Sequence, residues 1–264
     1  MVQQNPGPRI VSERRNLIRE TAYGPVIVNR HDTVIGHWIA HDGGWEKDEI
    51  ELLRWITSAC YGSEQQVEIL DIGANVGTHA IAFARFPFPR VTVHAFEAQR
   101  IVFQMLAGTI ALNALDNVYC HHNAVSSSSG EVIEIAAIDY DAPGDFGSLE
   151  LEPARNSDFV AKRIADSMER IRTVAIDELA LQSVRLMKID TEGMEHKVLA
   201  GAVQTLERSR PVLFFEYTKT DFEWVRALLR HLEYRSYYAQ RPNVLAFPAE
   251  FTDIELKGAQ SVES

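Results

Sequence analysis

Apolar residues fall in short blocks along this chain, and the blocks alternate between a strand pattern and a helix pattern. Val67-Glu68-Ile69-Leu70-Asp71-Ile72 is rich in β-branched residues and closed by Gly73, as in a buried parallel strand. Gly73 and Gly77 bracket a tight turn, and Thr78 to Ala84 has the composition of a helix opening on it. Val91 to Phe96 repeats the strand pattern and ends in Glu97. Ala98 to Leu115 places Val102, Met105, Leu106 and Leu112 on one side, as a core helix does. Its Gln104, Gly108, Thr109 and Asn113 interrupt the apolar run too often for a membrane span. Val118 to Val125 is the expected third strand. Leu186 to Ile189 and Pro211 to Phe215 are two more, separated by a helix from about Met194 with Val198, Leu199, Ala202, Val203 and Leu206 in register. Strands alternating with helices predict an open, doubly wound α/β sheet, with ligands beyond the carboxyl ends of its strands.

The flanks are less regular. Residues 1 to about 20 predict a loose arm or a short pairing helix, and Tyr23 to Val28 an edge strand that tolerates Pro25. His31 to Gly36 reads as a turn. From Trp45-Glu46, an amphipathic helix carries Ile50, Leu53, Ile56 and Cys60. Trp45 either caps a ligand pocket or packs. Ser126 to Gly130 is a turn, Glu131 to Ile138 a hairpin partner, and Arg172 to Ala175 a short strand. Asp139 to Ser148 is rich in acids and glycine and reads as a functional or a solvated loop. The organisation expected is an arm, edge strand and capping helix over 1–60 and a ligand-binding domain over 61–250. Residues 139–170 form a substrate-side insertion in it, and 251–264 a flexible tail.

The turn after the first core strand narrows the ligand. A dinucleotide turn wants glycine in its second place, so that backbone can approach a pyrophosphate. Here Asn75 holds that place and Thr78 the third. Asp71 would repel phosphate and suit a cationic amino group, such as that of S-adenosylmethionine. Glu97 stands at the tip of the next strand, roughly 20 residues on, where an acid accepts ribose hydroxyls; the competing reading is a helix N-terminal acid. Asn123-Ala124 falls beside the same crevice and would suit an adenine edge. Together these residues point to an adenosine-containing cofactor without a diphosphate.

Asp190, Glu192 and Glu216 follow two strand ends that converge in a parallel sheet. Three carboxylates at one mouth can deprotonate a hydroxyl, hold sugar hydroxyls or bind a divalent ion. Crowded like charges raise one pKa, which favours a base near neutrality. Glu195 reads instead as a helix N-terminal acid. His121-His122 invites a metal reading, but adjacent strand residues face opposite ways, and no metal site is assigned.

The chain has 264 residues and a net charge of −11, with a pI near 5.3. That balance disfavours nucleic acid or an anionic membrane as partner, although Arg14-Arg15 and Lys162 to Arg172 are locally basic. Cys60 and Cys120 are too few for a disulfide framework or zinc ribbon. With no long apolar run and no signal-peptide core, a cytoplasmic protein is expected.

Asp71-Ile72-Gly73-Ala74-Asn75-Val76-Gly77, Lys188-Ile189-Asp190-Thr191-Glu192-Gly193-Met194-Glu195 and Pro211 to Glu216 together resemble the FkbM-type S-adenosylmethionine-dependent methyltransferases. Asp32 to Gly36, Trp45-Glu46 and Phe146-Gly147-Ser148 share the likeness, which spans roughly residues 24 to 218. Thr191 stands where the family often has an apolar residue, and His79 where an aromatic is common. The resemblance implies a class I methyltransferase fold: a seven-stranded, mostly parallel sheet ending in an antiparallel hairpin, here Tyr234 to Tyr238 and Val244 to Phe247 after a helix at Phe222 to Leu232. It also implies O-methylation of a sugar, glycoside or polyketide-type hydroxyl.

On this reading, Asp71, Gly73, Ala74, Asn75, Gly77 and Thr78 form the methionine-side turn. Glu97 holds the ribose and Asn123-Ala124 the adenine. Asp190 or Glu216 takes the proton, with Glu192 beside them, during in-line methyl transfer to a hydroxyl oxygen. A divalent ion is the rival use of those carboxylates and not the favoured one. The acceptor is a small molecule or glycan. Two other classes compete: an NAD-dependent oxidoreductase, which Asn75 argues against, and a non-catalytic cofactor-binding protein, which the mouth carboxylates argue against.

Overall fold

A computed structural model describes residues 14–42, 46–149, 164–240, 242–256 and 258–262. In chain order the first elements are β1 (Asn16–Thr21), β2 (Gly24–Asn29), α1 (Ile35–Asp42) and α2 (Lys47–Tyr61). They are followed by β3 (Gln66–Ile72), α3 (Thr78–Phe83), β4 (Arg90–Phe96), α4 (Arg100–Leu112), β5 (Val118–His121) and β6 (Ala124–Val125). Then come β7 (Val132–Ile138), β8 (Ile164–Val174), β9 (Val184–Ile189), α5 (Glu195–Ala200) and α6 (Val203–Ser209). The chain continues through β10 (Val212–Glu216), α7 (Phe222–His231), β11 (Tyr234–Tyr238) and β12 (Asn243–Pro248).

Seven strands form one mixed sheet in the order β11-β12-β10-β9-β3-β4-β5. Contacts from β10 through β5 are parallel, while β12 runs antiparallel to both β10 and β11. The order reverses at β3, and that switch point opens the ligand crevice of such a sheet.

Side-chain alternation along the strands sorts the core into two layers. Val67, Ile69, Leu186, Val212 and Phe214 face the layer made by α2, α3 and α4. Leu70, Ile72, Met187, Ile189, Leu213 and Phe215 face the layer of α5, α6 and α7. The same alternation turns Asp71 and Lys188, which are register partners on adjacent strands, toward the α2–α3 side.

Several expectations need correction. Residues 16–21 are not a helix or loose arm but β1, paired antiparallel with β2. The turn expected over His31 to Gly36 gives way to α1 from Ile35. The third core strand ends at His121. Ala124 and Val125 leave the main sheet and pair with β8. The strand expected at Arg172 to Ala175 is longer, Ile164–Val174, and takes β7 as its antiparallel partner. The pattern missed it because its residues are polar and one face of this three-stranded sheet is open to solvent. The tail is held at its far end, where Val262 donates its N–H to Ser236 and is itself buried. Trp45, Lys162 and residues 150–163 of the expected insertion lie outside the described residues. Among the described residues no helix is long and apolar enough to cross a membrane.

The turn after β3 is the tightest approach between strands. Gly73 N–H and Ala74 N–H both donate to the Phe96 carbonyl, at 3.0 and 2.9 Å, and Asp190 N–H donates to the Ile72 carbonyl at 2.8 Å. Gly73 has φ +82°, and a Cβ there would lie 1.8 Å from the Asp190 carbonyl oxygen. Gly130 has nearly the same φ, +84°, with nothing within 4 Å. The two glycines separate backbone strain from steric collision. Gly130→Ala should cost about 1–2 kcal/mol, and Gly73→Ala at least about 3 kcal/mol once the collision adds. Urea unfolding midpoints of the two variants measure the difference.

Candidate functional site

A cleft enclosing roughly 1010 Å³, part of it continuous with solvent, opens over the ends of β3, β4 and β9. Gly73, Ala74, Asn75 and Thr78 form one wall, Glu97 and Gln99 another, and Asn123 and Ala124 the end next to β6. Asp190 and Glu192 close the opposite end. A smaller cavity of about 450 Å³ adjoins it, lined by Glu46, Glu49, Lys188, Asp190, Glu192, Glu216 and Asn243 among others. Glu46, Lys188, Asp190 and Glu192 line both spaces.

The turn residues are held by the backbone itself. Asn75 sits at φ +49°, a conformation Asn tolerates better than most non-glycine residues. Its side-chain oxygen accepts from Val76 N–H at 2.8 Å. Asparagine thus supplies the left-handed turn for which a dinucleotide motif uses glycine. Glu97 faces it: Oε2 accepts from Asn75 N–H at 3.0 Å and Oε1 from Gln99 N–H at 2.8 Å. Burial pushes the Glu97 carboxyl up to about 7, against the pull of those N–H donors.

Two residues expected at the cofactor stand elsewhere. Asp71 is fully enclosed and does not line the cleft; it lies beneath the cleft floor, beside Lys188 and His79. The pleat explains this, since the last strand residue to face the crevice is not the one that faces α3. Gly77 does not line the cleft either. A Cβ there would come within 2.8 Å of Leu106 Cδ1, so this glycine serves the packing of α3 on α4.

The three carboxylates do converge. One oxygen from each of Asp190, Glu192 and Glu216 lies within 4.8 Å of the others. Each already has a partner: Lys188 Nζ donates to Asp190 Oδ2 at 3.2 Å, Lys219 to Glu192, and the Thr218 hydroxyl to Glu216. Burial, with Asp190 nearby, pushes Glu192 up to about 7, Lys219 opposing. Glu195 has the structural role expected of it. Its Oε1 accepts from Thr191 N–H, the Thr191 hydroxyl and Gly193 N–H at 2.9, 3.0 and 3.3 Å, pinning the turn that carries Asp190 and Glu192.

Sequence reasoning missed several lining groups. The Asp139 to Ser148 loop is no solvated excursion, since Asp145, Gly147, Ser148 and Leu149 line the cleft. Gln99 ties it down, donating to the Phe146 carbonyl and accepting from the Tyr140 hydroxyl, both at 2.8 Å. Nothing local in the sequence signals that pairing across chain. Lys188 did carry a signal: it is a charged residue inside the apolar strand Leu186 to Ile189. Burial lowers its pKa, but Asp190, Asp71, Glu49 and Glu46 together outweigh that and hold it above the ordinary lysine range.

Lys188 is therefore the counter-charge of a buried acidic group. Removing it as Lys188→Met should cost about 3–5 kcal/mol, the usual penalty for stranding a buried partner. Lys188→Met with Asp71→Asn should recover part of that loss. Chemical denaturation of the single and double variants reads both effects.

Comparisons with known proteins fit this geometry. The methyltransferase FkbM domain profile matches residues 71–236. Methyltransferase sdnD from Sordaria araneosa is 26% identical over 154 residues, and the match covers 50% of this chain and 59% of that protein. This chain therefore matches little more than half the length of that relative. Among solved structures, a methyltransferase FkbM from Methylobacillus flagellatus KT aligns over 68% of this chain and 43% of its own, at 16% identity and a TM-score of 0.46. An S-adenosylmethionine-dependent O-methyltransferase from Thermotoga maritima aligns over 88% and 77%, at 10% identity and a TM-score of 0.44. Both structural likenesses are too remote to bear on chemistry. The profile match covers more than half of the chain and contains both the glycine turn and the Asp190–Glu195 segment, so this chain belongs to the FkbM methyltransferase family.

Proposed function

We propose that the protein is an S-adenosylmethionine-dependent O-methyltransferase acting on a hydroxyl of a sugar, glycoside or polyketide-type small molecule. The observation that carries this reading is the pair of adjoining spaces with shared carboxylates. The larger cleft has the composition of an adenosine site: Glu97 for the ribose, Asn123-Ala124 for the adenine edge and the Gly73–Thr78 turn for the methionine end. The smaller cavity is polar and acid-lined, as suits a hydroxylated acceptor. Asp190 and Glu192 stand between the two, where methyl donor and hydroxyl would meet.

Methyl transfer needs the sulfonium carbon, its leaving sulfur and the attacking oxygen in line, so positioning does much of the work. A carboxylate at the boundary takes the hydroxyl proton as the C–O bond forms. Glu192, held near 7, is matched to that task at neutral pH. Asp190 and Glu216 hold the neighbouring hydroxyls. The relative from Sordaria araneosa, named as a methyltransferase, is in keeping with methyl transfer.

A calorimetric titration with S-adenosylhomocysteine, with NADH as control, tests the cofactor. Saturable binding of the first and none of the second is expected; binding of NADH alone would sink the proposal. Glu97→Gln should weaken S-adenosylhomocysteine binding by about 10- to 100-fold, the loss of a hydrogen bond to a charged acceptor. The ionised Glu97 is the form that accepts ribose hydroxyls. Affinity should therefore fall as pH drops from 8 to 6 through the Glu97 value of about 7, by at most about tenfold per pH unit. The same raised pKa acts oppositely on the ligand-free fold, whose gain from burying a neutral Glu97 is lost as pH rises through about 7. Titrations at three pH values, and in Glu97→Gln as the pH-independent reference, measure the linkage.

A further inference from the structure

Beneath the wall shared by the two cavities lies a second cluster that the methyl-transfer reading does not use. Glu46 and Glu49 enter it from the start of α2, and His79 from the first turn of α3. His79 Nε2 lies 2.9 Å from Glu49 Oε1 and 3.6 Å from Glu46 Oε2. These donor atoms all fall within 4.8 Å of one another. The His79 side chain is 5% exposed and that of Glu49 9%. Neither His79 Nε2 nor Glu49 Oε1 has a hydrogen-bond partner, so their short approach is not along the ring N–H direction. The other Glu49 oxygen is occupied, accepting from Asn243 Nδ2 at 3.3 Å.

We infer that Glu46, Glu49 and His79 form a binding site for one divalent metal ion with a preference for mixed nitrogen and oxygen ligands. Metal–nitrogen and metal–oxygen bonds of about 2.0–2.2 Å set neighbouring ligand atoms about 3 to 3.5 Å apart, close to the 2.9 and 3.6 Å that separate His79 Nε2 from the two carboxylates. One imidazole and two carboxylates suit zinc, manganese, iron or cobalt better than calcium or magnesium. An ion also supplies what the local charge lacks. Asp71, Asp190, Glu46 and Glu49 surround Lys188, and Lys188 Nζ is committed to Asp190. The Asp190, Glu192 and Glu216 set has similar spacing but supplies no nitrogen ligand, and each of its carboxylates has a cationic or hydroxyl partner. Glu46 lines both cavities and Glu49 the smaller one, so an ion held here would border the space assigned to the acceptor.

The inference stands whether or not the cofactor assignment does, because its test reads metal rather than turnover. The full chain is stripped with EDTA, dialysed, and titrated with Zn²⁺ or Mn²⁺ by calorimetry; Co²⁺ absorption reports the ligand set. One ion per chain is expected, with a rise in melting temperature on binding. Glu49→Gln, which keeps shape and the Asn243 contact, should weaken binding by at least about 100-fold, and His79→Gln should do the same and remove the nitrogen signature from the Co²⁺ spectrum. Absence of stoichiometric binding to the wild-type chain overturns the site. So does binding that survives Glu49→Gln but is lost in Glu216→Gln, which would put the ion among the mouth carboxylates instead. Should His79→Gln fail to fold, the Glu49→Gln comparison decides alone.

Discussion

The burial of Lys188 among acids is the constraint on which the rest of the site depends. A lysine near the end of a central strand that faces the core has its ammonium over the sheet face, and here that face belongs to Asp71 on the neighbouring strand. The charge is retained because Asp190, Asp71, Glu49 and Glu46 all approach it. The acids in turn are tolerated in so dry a place only because it is there. Around this one cation the ends of β3 and β9 and the start of α2 are brought to fixed distances, and the two cavities take their shared wall from them.

Geometry elsewhere follows from the backbone. The Phe96 carbonyl accepts from both Gly73 and Ala74, which locks the turn after β3 against β4. Glu97, next in sequence to Phe96, then meets the N–H of Asn75. A residue with its side chain in solvent could not hold that N–H as firmly. Glu195 does the same for the turn after β9, and its complete burial shows that an acid can serve as scaffold within a few residues of acids that line a ligand space.

Much of this was legible in the sequence, for identifiable reasons. The core strands β3, β4, β9 and β10 are short apolar runs closed by acids or glycine, and a buried parallel strand has hardly another way to look. Their acids at Glu97, Asp190, Glu192 and Glu216 were found because strand ends in such a sheet point to one side. Asp71 was misplaced in detail because alternation decides which face a side chain takes, and the exact strand end was one residue away. β8 was too polar to stand out, and its partners are distant in sequence. The fold of the Asp139 to Ser148 loop onto Gln99 rests on two long-range hydrogen bonds that no local pattern encodes. Glu46 and Glu49 stand at the start of α2 and His79 in α3, so only the packing of α2 on α3 brings them together.

The wall between the two cavities carries four charged residues. Glu46, Lys188, Asp190 and Glu192 line both spaces, and Lys188, Asp190 and Glu192 are engaged in ion pairs that an incoming polar group can exchange for others. A molecule that draws Glu192 from Lys219 on one side changes the potential felt on the other. Thermodynamic linkage makes that influence mutual: whatever the second occupant gains from the first, the first gains from the second. A partition of this kind would couple two occupants energetically without any movement of the sheet beneath them.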